Sequence, residues 1–83
     1  MAIKEDKIVE ELLENRIRLT AYARSILRDF HMAEDVFQVI SLKAIRGASE
    51  FNDMAHLSRW LWVVCRREAI RKLKKETKSG LLL

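Results

Sequence analysis

Few of the 83 residues could do covalent chemistry, and they are scattered. His31 and His56 lie apart, each near the expected start of a helix. Capping or solvation is the ordinary role of such a histidine, not metal ligation. Cys65 sits inside a helical apolar run and reads as a small buried hydrophobe. It is the only cysteine, so no internal disulfide can form, and a cytoplasmic setting is the default expectation. Glu34 and Asp35 are neighbours in a helical stretch. Their side chains diverge by about 100°, so they cannot work as an acid–base pair on one substrate. The sequence holds no glycine-rich phosphate loop and no nucleophile beside a base. We expect no enzyme activity, no metal and no cofactor.

What remains is chemistry of recognition. Residues 66–78 carry seven basic and two acidic residues, whereas residues 1–65 carry nine basic and ten acidic. The net charge of +4 therefore resides in the last helical stretch. A helix with this density of cations attracts polyanions by displacing counterions from phosphates. A basic helix end can also be merely solubilising, or match the negative end of the helix dipole; the density here favours nucleic acid. The second candidate lies in Met32–Ile45. Ala33, Val36, Phe37, Ile40 and Ala44 recur at steps of three and four and should share a buried face. Asp35, Gln38, Val39 and Leu42 fall on another face at the same spacing. A short apolar and carboxylate–amide strip outside a core suits a protein partner, and it equally suits an ordinary solvated face.

These residues must be positioned by helices. Proline is absent, there are two glycines, and no alternating run is long enough for a confident strand. At this length the chain is one domain. The longest apolar run, Trp60 to Cys65, is far too short to cross a membrane, and the N-terminus lacks a signal-peptide core, so no membrane insertion is expected. A first helix is expected from about Lys4 to Leu27. Val9, Leu12, Leu13, Leu19, Ala23, Ile26 and Leu27 line its stripe, Ile8 and Ile17 lie at its border, and Tyr22 packs at its edge. After the connector Arg28–His31, in which Asp29 or His31 could cap, a second helix should run from Ala33 to Arg46, with Glu34 and Asp35 in its first turn. Gly47 suits a left-handed closing residue. In the Ala48–His56 loop, Asn52-Asp53 marks a turn and an N-cap. Phe51 there either plugs the base of the loop, the commoner outcome, or stands exposed as a stacking ring. A third helix follows from about Ala55 to Lys75. Leu57, Trp60, Leu61, Val64 and Glu68 wind around it with a second set, Val63, Ile70 and Leu73; Trp60 falls on the Leu57, Leu61, Val64 stripe and is expected in the core, and Trp62 lies off that stripe, half exposed.

Four segments together resemble a known family. Ala33-Glu34-Asp35-Val36-Phe37-Gln38, followed by Leu42-Lys43-Ala44, is similar to the Ala-Glu-Asp-Leu-Val-Gln…Leu-Arg-Ala core of bacterial sigma factors of the sigma-70 family. The nearest group is the extracytoplasmic-function branch. Ala21–Leu27 resembles that group's first helix, and Phe51 followed by Leu57-Ser58-Arg59-Trp60-Leu61 is similar to its Phe…Phe-Arg-Thr-Trp-Leu, with no gap needed. Arg66 through Lys75 resembles its basic helix end. The resemblance spans about Leu12 to Lys75 and corresponds to region 2.

The resemblance implies an all-α bundle of three or four helices over residues 1–78, with 79–83 as a tail, that is not an enzyme. It implies that Asp35, Gln38, Val39 and Leu42 contact the clamp helices, a coiled coil of the RNA polymerase β′ subunit. It also implies that Phe51, Asn52 and Asp53 lie in the loop that captures a flipped-out base of the promoter −10 element on the non-template strand. Bases out of their stack need an aromatic or apolar pocket and hydrogen bonds to their edge. Arg66, Arg67, Arg71, Lys72, Lys74 and Lys75 would follow the phosphates. The chain departs from the family pattern at Met32, where an aspartate is usual and the helix cap is weakened, and at Val39, Arg67 and Arg71. The two arginines add charge facing phosphates and leave base preference open. No counterpart of promoter-reading region 4 is present, so the sequence reads as an excised domain or a minimal relative. The alternative function is a helical protein-interaction module, for instance one binding an anti-sigma factor without acting on DNA. An unrelated helix-turn-helix regulator is disfavoured, because the Ala48–His56 loop is too long for its tight turn.

Overall fold

The computed structural model describes residues 3–80, with side chains through Lys75. Three helices follow one another: α1 (Glu5–Leu27), α2 (Phe30–Arg46) and, after a single 3-10 turn at Ala48–Glu50, α3 (Met54–Gly80). Each packs against both others, and no strand occurs among the described residues. The architecture is the all-α three-helix bundle that the sequence implies.

The core is assembled from one face of each helix. α2 contributes Ala33, Val36, Ile40 and Ala44, as its spacing requires, with Phe37 only partly buried at the edge. α3 contributes Leu57, Leu61, Val64, Cys65 and Ala69. Trp60, expected in the core, is half-buried and packs against it, as does Trp62, which meets Tyr22 edge to face at 5.6 Å.

On α1 the buried stripe differs from the expected one. It runs Ile8, Leu12, Asn15, Leu19, Ala23 and Leu27. Ile8 is wholly buried, whereas Val9, Leu13 and Ile17 are 37%, 63% and 82% exposed. The true stripe passes through a polar residue, which hides it from an apolar pattern. Asn15 is tolerated there because its polar atoms are satisfied. Its Nδ2 donates to the Glu11 carbonyl at 2.9 Å and to Glu11 Oε2 at 3.0 Å, and its Oδ1 accepts from Arg18 at 3.0 Å.

The connections also depart in detail. The left-handed residue is Arg28 (φ 58°, ψ 27°) at the end of α1, its N–H bonded to the Arg24 carbonyl. Gly47, expected to hold that role, has φ −96°. What glycine supplies there is room, since a Cβ would sit 3.2 Å from the Lys43 carbonyl oxygen. α2 begins three residues earlier than expected because Asp29 caps it, Oδ1 accepting from the Met32 N–H at 2.9 Å. The cap thus survives without an aspartate at position 32, and Glu34 and Asp35 fall beyond the first turn. Asp53 caps α3, accepting from the His56 N–H at 2.8 Å. α3 continues through Gly80, so the first two residues of the expected tail 79–83 are helical; the leucines at 81–83 lie outside the described residues.

Candidate protein- and nucleic-acid-binding surfaces

The strip on α2 is outside the bundle. Asp35, Gln38, Val39 and Leu42 are all exposed, Val39 by 39% and Leu42 by 54%, while Val36 and Ile40 between them are buried. Two exposed aliphatic side chains beside a carboxylate and an amide form an amphipathic ridge, which suits the groove of another helical element. The ridge is edged by α3. Lys72 Nζ lies 3.7 Å from Asp35 Oδ2, and a shallow groove of about 150 Å³ between the two helices is lined by Val36, Val39, Glu68, Arg71, Lys72 and Lys75.

Glu68 fixes how these two helices meet. It is a carboxylate only 8% exposed, on the buried stripe of α3. Lys43 reaches across from α2, its Nζ 2.8 Å from Glu68 Oε2, and Arg71 stands 3.6 Å from the same oxygen. Burial alone would raise the Glu68 pKa. The hydrogen bond and charge of Lys43, with the charges of Arg71 and Arg67, outweigh that and hold it below the ordinary 4.5. Farther inside, burial pushes the Cys65 thiol up to about 11, and its Sγ sits 3.5 Å from the Leu19 carbonyl oxygen. That thiol is protonated at neutral pH and inert.

The basic residues of α3 divide by helical spacing into two sets. Arg71, Lys72 and Lys75 follow Glu68 at steps of three, four and seven, so they lean toward α2 and line its groove. Arg66, Arg67 and Lys74 point away from the bundle, all exposed. Arg59 and the 62%-exposed Val63 share that outward face, at seven and three residues before Arg66. Arg59 was not among the expected nucleic-acid residues. The signal for it is the seven-residue step to Arg66, but it lies outside the dense basic run at residues 66–78.

In the Ala48–His56 loop Phe51 takes the commoner of its two expected roles. Phe51 is 4% exposed, so its ring is not available to stack on a base in this conformation. It plugs the loop's base, meeting Trp60 at 5.2 Å and His56 at 5.3 Å, both edge to face. A lone phenylalanine ring gains more from burial in that aromatic cluster than from water. The Asn52 N–H donates to His56 Nδ1 at 3.2 Å, which pins the loop and requires the Nδ1 lone pair to be free. Asn52 and Asp53 remain exposed, though the Asp53 carboxylate is occupied in capping α3. Among the described residues no group of acidic, histidine and cysteine side chains could hold a metal, and no helix is long and apolar enough to cross a membrane.

A small helical bundle with an exposed amphipathic ridge on one helix and an outward basic face on the next is the form of a recognition domain. The family model of sigma-70 region 2 matches residues 12–79, and the chain belongs to that family. No curated protein and no solved structure matches it. At the level of the family, region 2 is a non-enzymatic part of a sigma factor that takes part in RNA polymerase binding and promoter recognition.

Proposed function

We propose that this domain docks on the clamp helices of the polymerase β′ subunit through the α2 ridge and engages the promoter −10 element through α3 and the loop before it, as in the extracytoplasmic-function branch. The observation that carries the reading is the two-faced α2. Val36, Ile40 and Ala44 hold the helix in the bundle, while Gln38, Val39 and Leu42, with Asp35 exposed at their edge and paired to Lys72, face outward for a foreign coiled coil. On the nucleic-acid side, Arg66, Arg67 and Lys74, with Arg59, form the phosphate track. Exposed Asn52 supplies donors and acceptors to the edge of an unpaired base, in a loop that Phe51 anchors from below.

The test is capture of a β′ clamp-helix fragment by the purified domain. Asp35→Arg combined with Gln38→Ala abolishes capture while the circular dichroism melt stays that of the parent, because both side chains are exposed. Capture at parental strength by the folded double variant rules out the docking surface.

A further inference from the structure

The exposed side of α1 belongs neither to the α2 ridge nor to the outward face of α3, and its pattern is ordered. Asp6, Glu10, Leu13, Ile17, Thr20 and Arg24 follow one another at alternating steps of four and three, the spacing of a coiled-coil seam. All six lie outside the bundle core, with Leu13 and Ile17 63% and 82% exposed. The seam is acidic at its N-terminal end, apolar at its centre and basic at its C-terminal end. Its C-terminal half opens into a groove of about 760 Å³ between α1 and the start of α2, where Ile17 and the half-exposed Phe30 meet Arg24 and Arg28 at the rim.

We propose that this seam is a self-complementary interface that pairs α1 with α1 of a second copy, antiparallel about a twofold axis. Placed so, Leu13 meets Ile17 of the second copy, and Ile17 meets its Leu13. Asp6 falls opposite Arg24 at both ends, and Glu10 falls opposite Thr20. The acidic, apolar half of each helix thus lies in the basic-rimmed groove of the other. A twofold axis requires one patch to complement itself, and opposite charges at the two ends of one helix satisfy that only when the helices run antiparallel. The flanking Glu14 meets its own copy near the axis, so Glu14→Gln tightens the pair. Arg16, on the other flank, is already drawn toward α2, 3.9 Å from Glu34 and over the Phe37 ring. The apolar centre is small, which places the association in the weak, concentration-dependent class.

Sedimentation equilibrium of the chain from about 10 µM to about 1 mM measures it, a range suited to weak interfaces. The parent shifts from monomer to dimer across that range. Asp6→Arg and Arg24→Asp each leave a folded monomer, their melts lowered by a few degrees at most, since both side chains are exposed and each reversal only opposes the dipole of α1. The two monomeric variants mixed in equal amounts then form a heterodimer, since one supplies arginine at both ends of the seam and the other aspartate. A parent that stays monomeric at the highest concentration overturns the proposal. So does a mixture of the folded variants that stays monomeric, or a single reversal that dimerises as the parent does.

Discussion

On the side of α3 that leans over α2, cations are held by carboxylates: Arg71 lies 3.6 Å from Glu68, and Lys72 lies 3.7 Å from Asp35. On the outward side, Arg66 and Lys74 have no ion-pair partner among the described residues, and Arg67 is exposed beside them. The residue types are the same and the positions are interleaved in sequence. What separates them is the 100° advance per residue, which turns one set toward the carboxylates of its own fold and the other toward solvent. Charge counted along the sequence therefore overstates the charge available to a polyanion. A cation already neutralised by its own protein must leave that partner before it can release a counterion from DNA.

The sharpest way to break this contrast is to reverse the outward set. Arg66, Arg67 and Lys74 changed together to Glu should lower affinity for single-stranded −10 DNA by about 100-fold or more, with the salt dependence flattened by about two to three phosphate contacts. The melting temperature should fall only slightly, because none of the three is buried and Arg67 acts on Glu68 through its charge alone. Fluorescence anisotropy across a salt series reads both quantities. A triple variant that keeps parental affinity and salt slope would place the DNA elsewhere on the molecule.

The inward set should instead report on stability. Glu68→Gln keeps the shape and removes the charge that Lys43 and Arg71 share. A charge-assisted hydrogen bond is worth about 1.5–3 kcal/mol, and Lys43 is nearly half exposed, so about 1 kcal/mol is expected by urea melt. The sign with pH follows from the lowered pKa. The Glu68 contribution is complete above the unfolded value near 4.5 and is lost as pH falls through the lower folded value. The parent should therefore lose more stability than Glu68→Gln as pH drops below about 4.5, and the two curves should converge in acid. A constant gap between them down to pH 2 would show that the carboxylate's ionisation adds nothing.

How much of this was written in the sequence depends on what each residue depends on. The helices and the core face of α2 were legible because apolar residues at steps of three and four need only local geometry. The exposed ridge on α2 was legible for the same reason. The α1 stripe is hidden in the sequence because its middle member is Asn15, whose burial is made possible by Glu11 and Arg18, a network that no hydrophobic pattern announces. The sequence alone permits two roles for Phe51, since its burial is decided by Trp60 and His56 closing around it rather than by its neighbours in the chain. The division of the basic run was available from helical phase alone. What phase could not give was the anchoring pair, Glu68 with Lys43, which joins two helices and exists only once they have met.

The smallest effect tests the contrast at its finest, between two lysines two residues apart. Lys74 is exposed on the outward face, and Lys72 is 30% exposed and paired with Asp35. Lys74→Gln should weaken DNA binding by about three- to fivefold, the scale of one lost phosphate contact at moderate salt. Lys72→Gln should change it by less than about twofold, because the parent lysine is already committed to a carboxylate. The exposed pair it breaks is worth about 0–0.5 kcal/mol to the fold, so the melt should scarcely move. The same substitution releases Asp35 at the N-terminal end of the ridge. If that ridge docks on a partner helix with a cation facing it, Lys72→Gln should bind the β′ fragment at least as tightly as the parent, since no internal pair has to be broken first. Equal losses of DNA affinity in the two variants would mean that the whole basic end acts as a diffuse field, and that the ion pairs within the fold do not decide which cations meet phosphate.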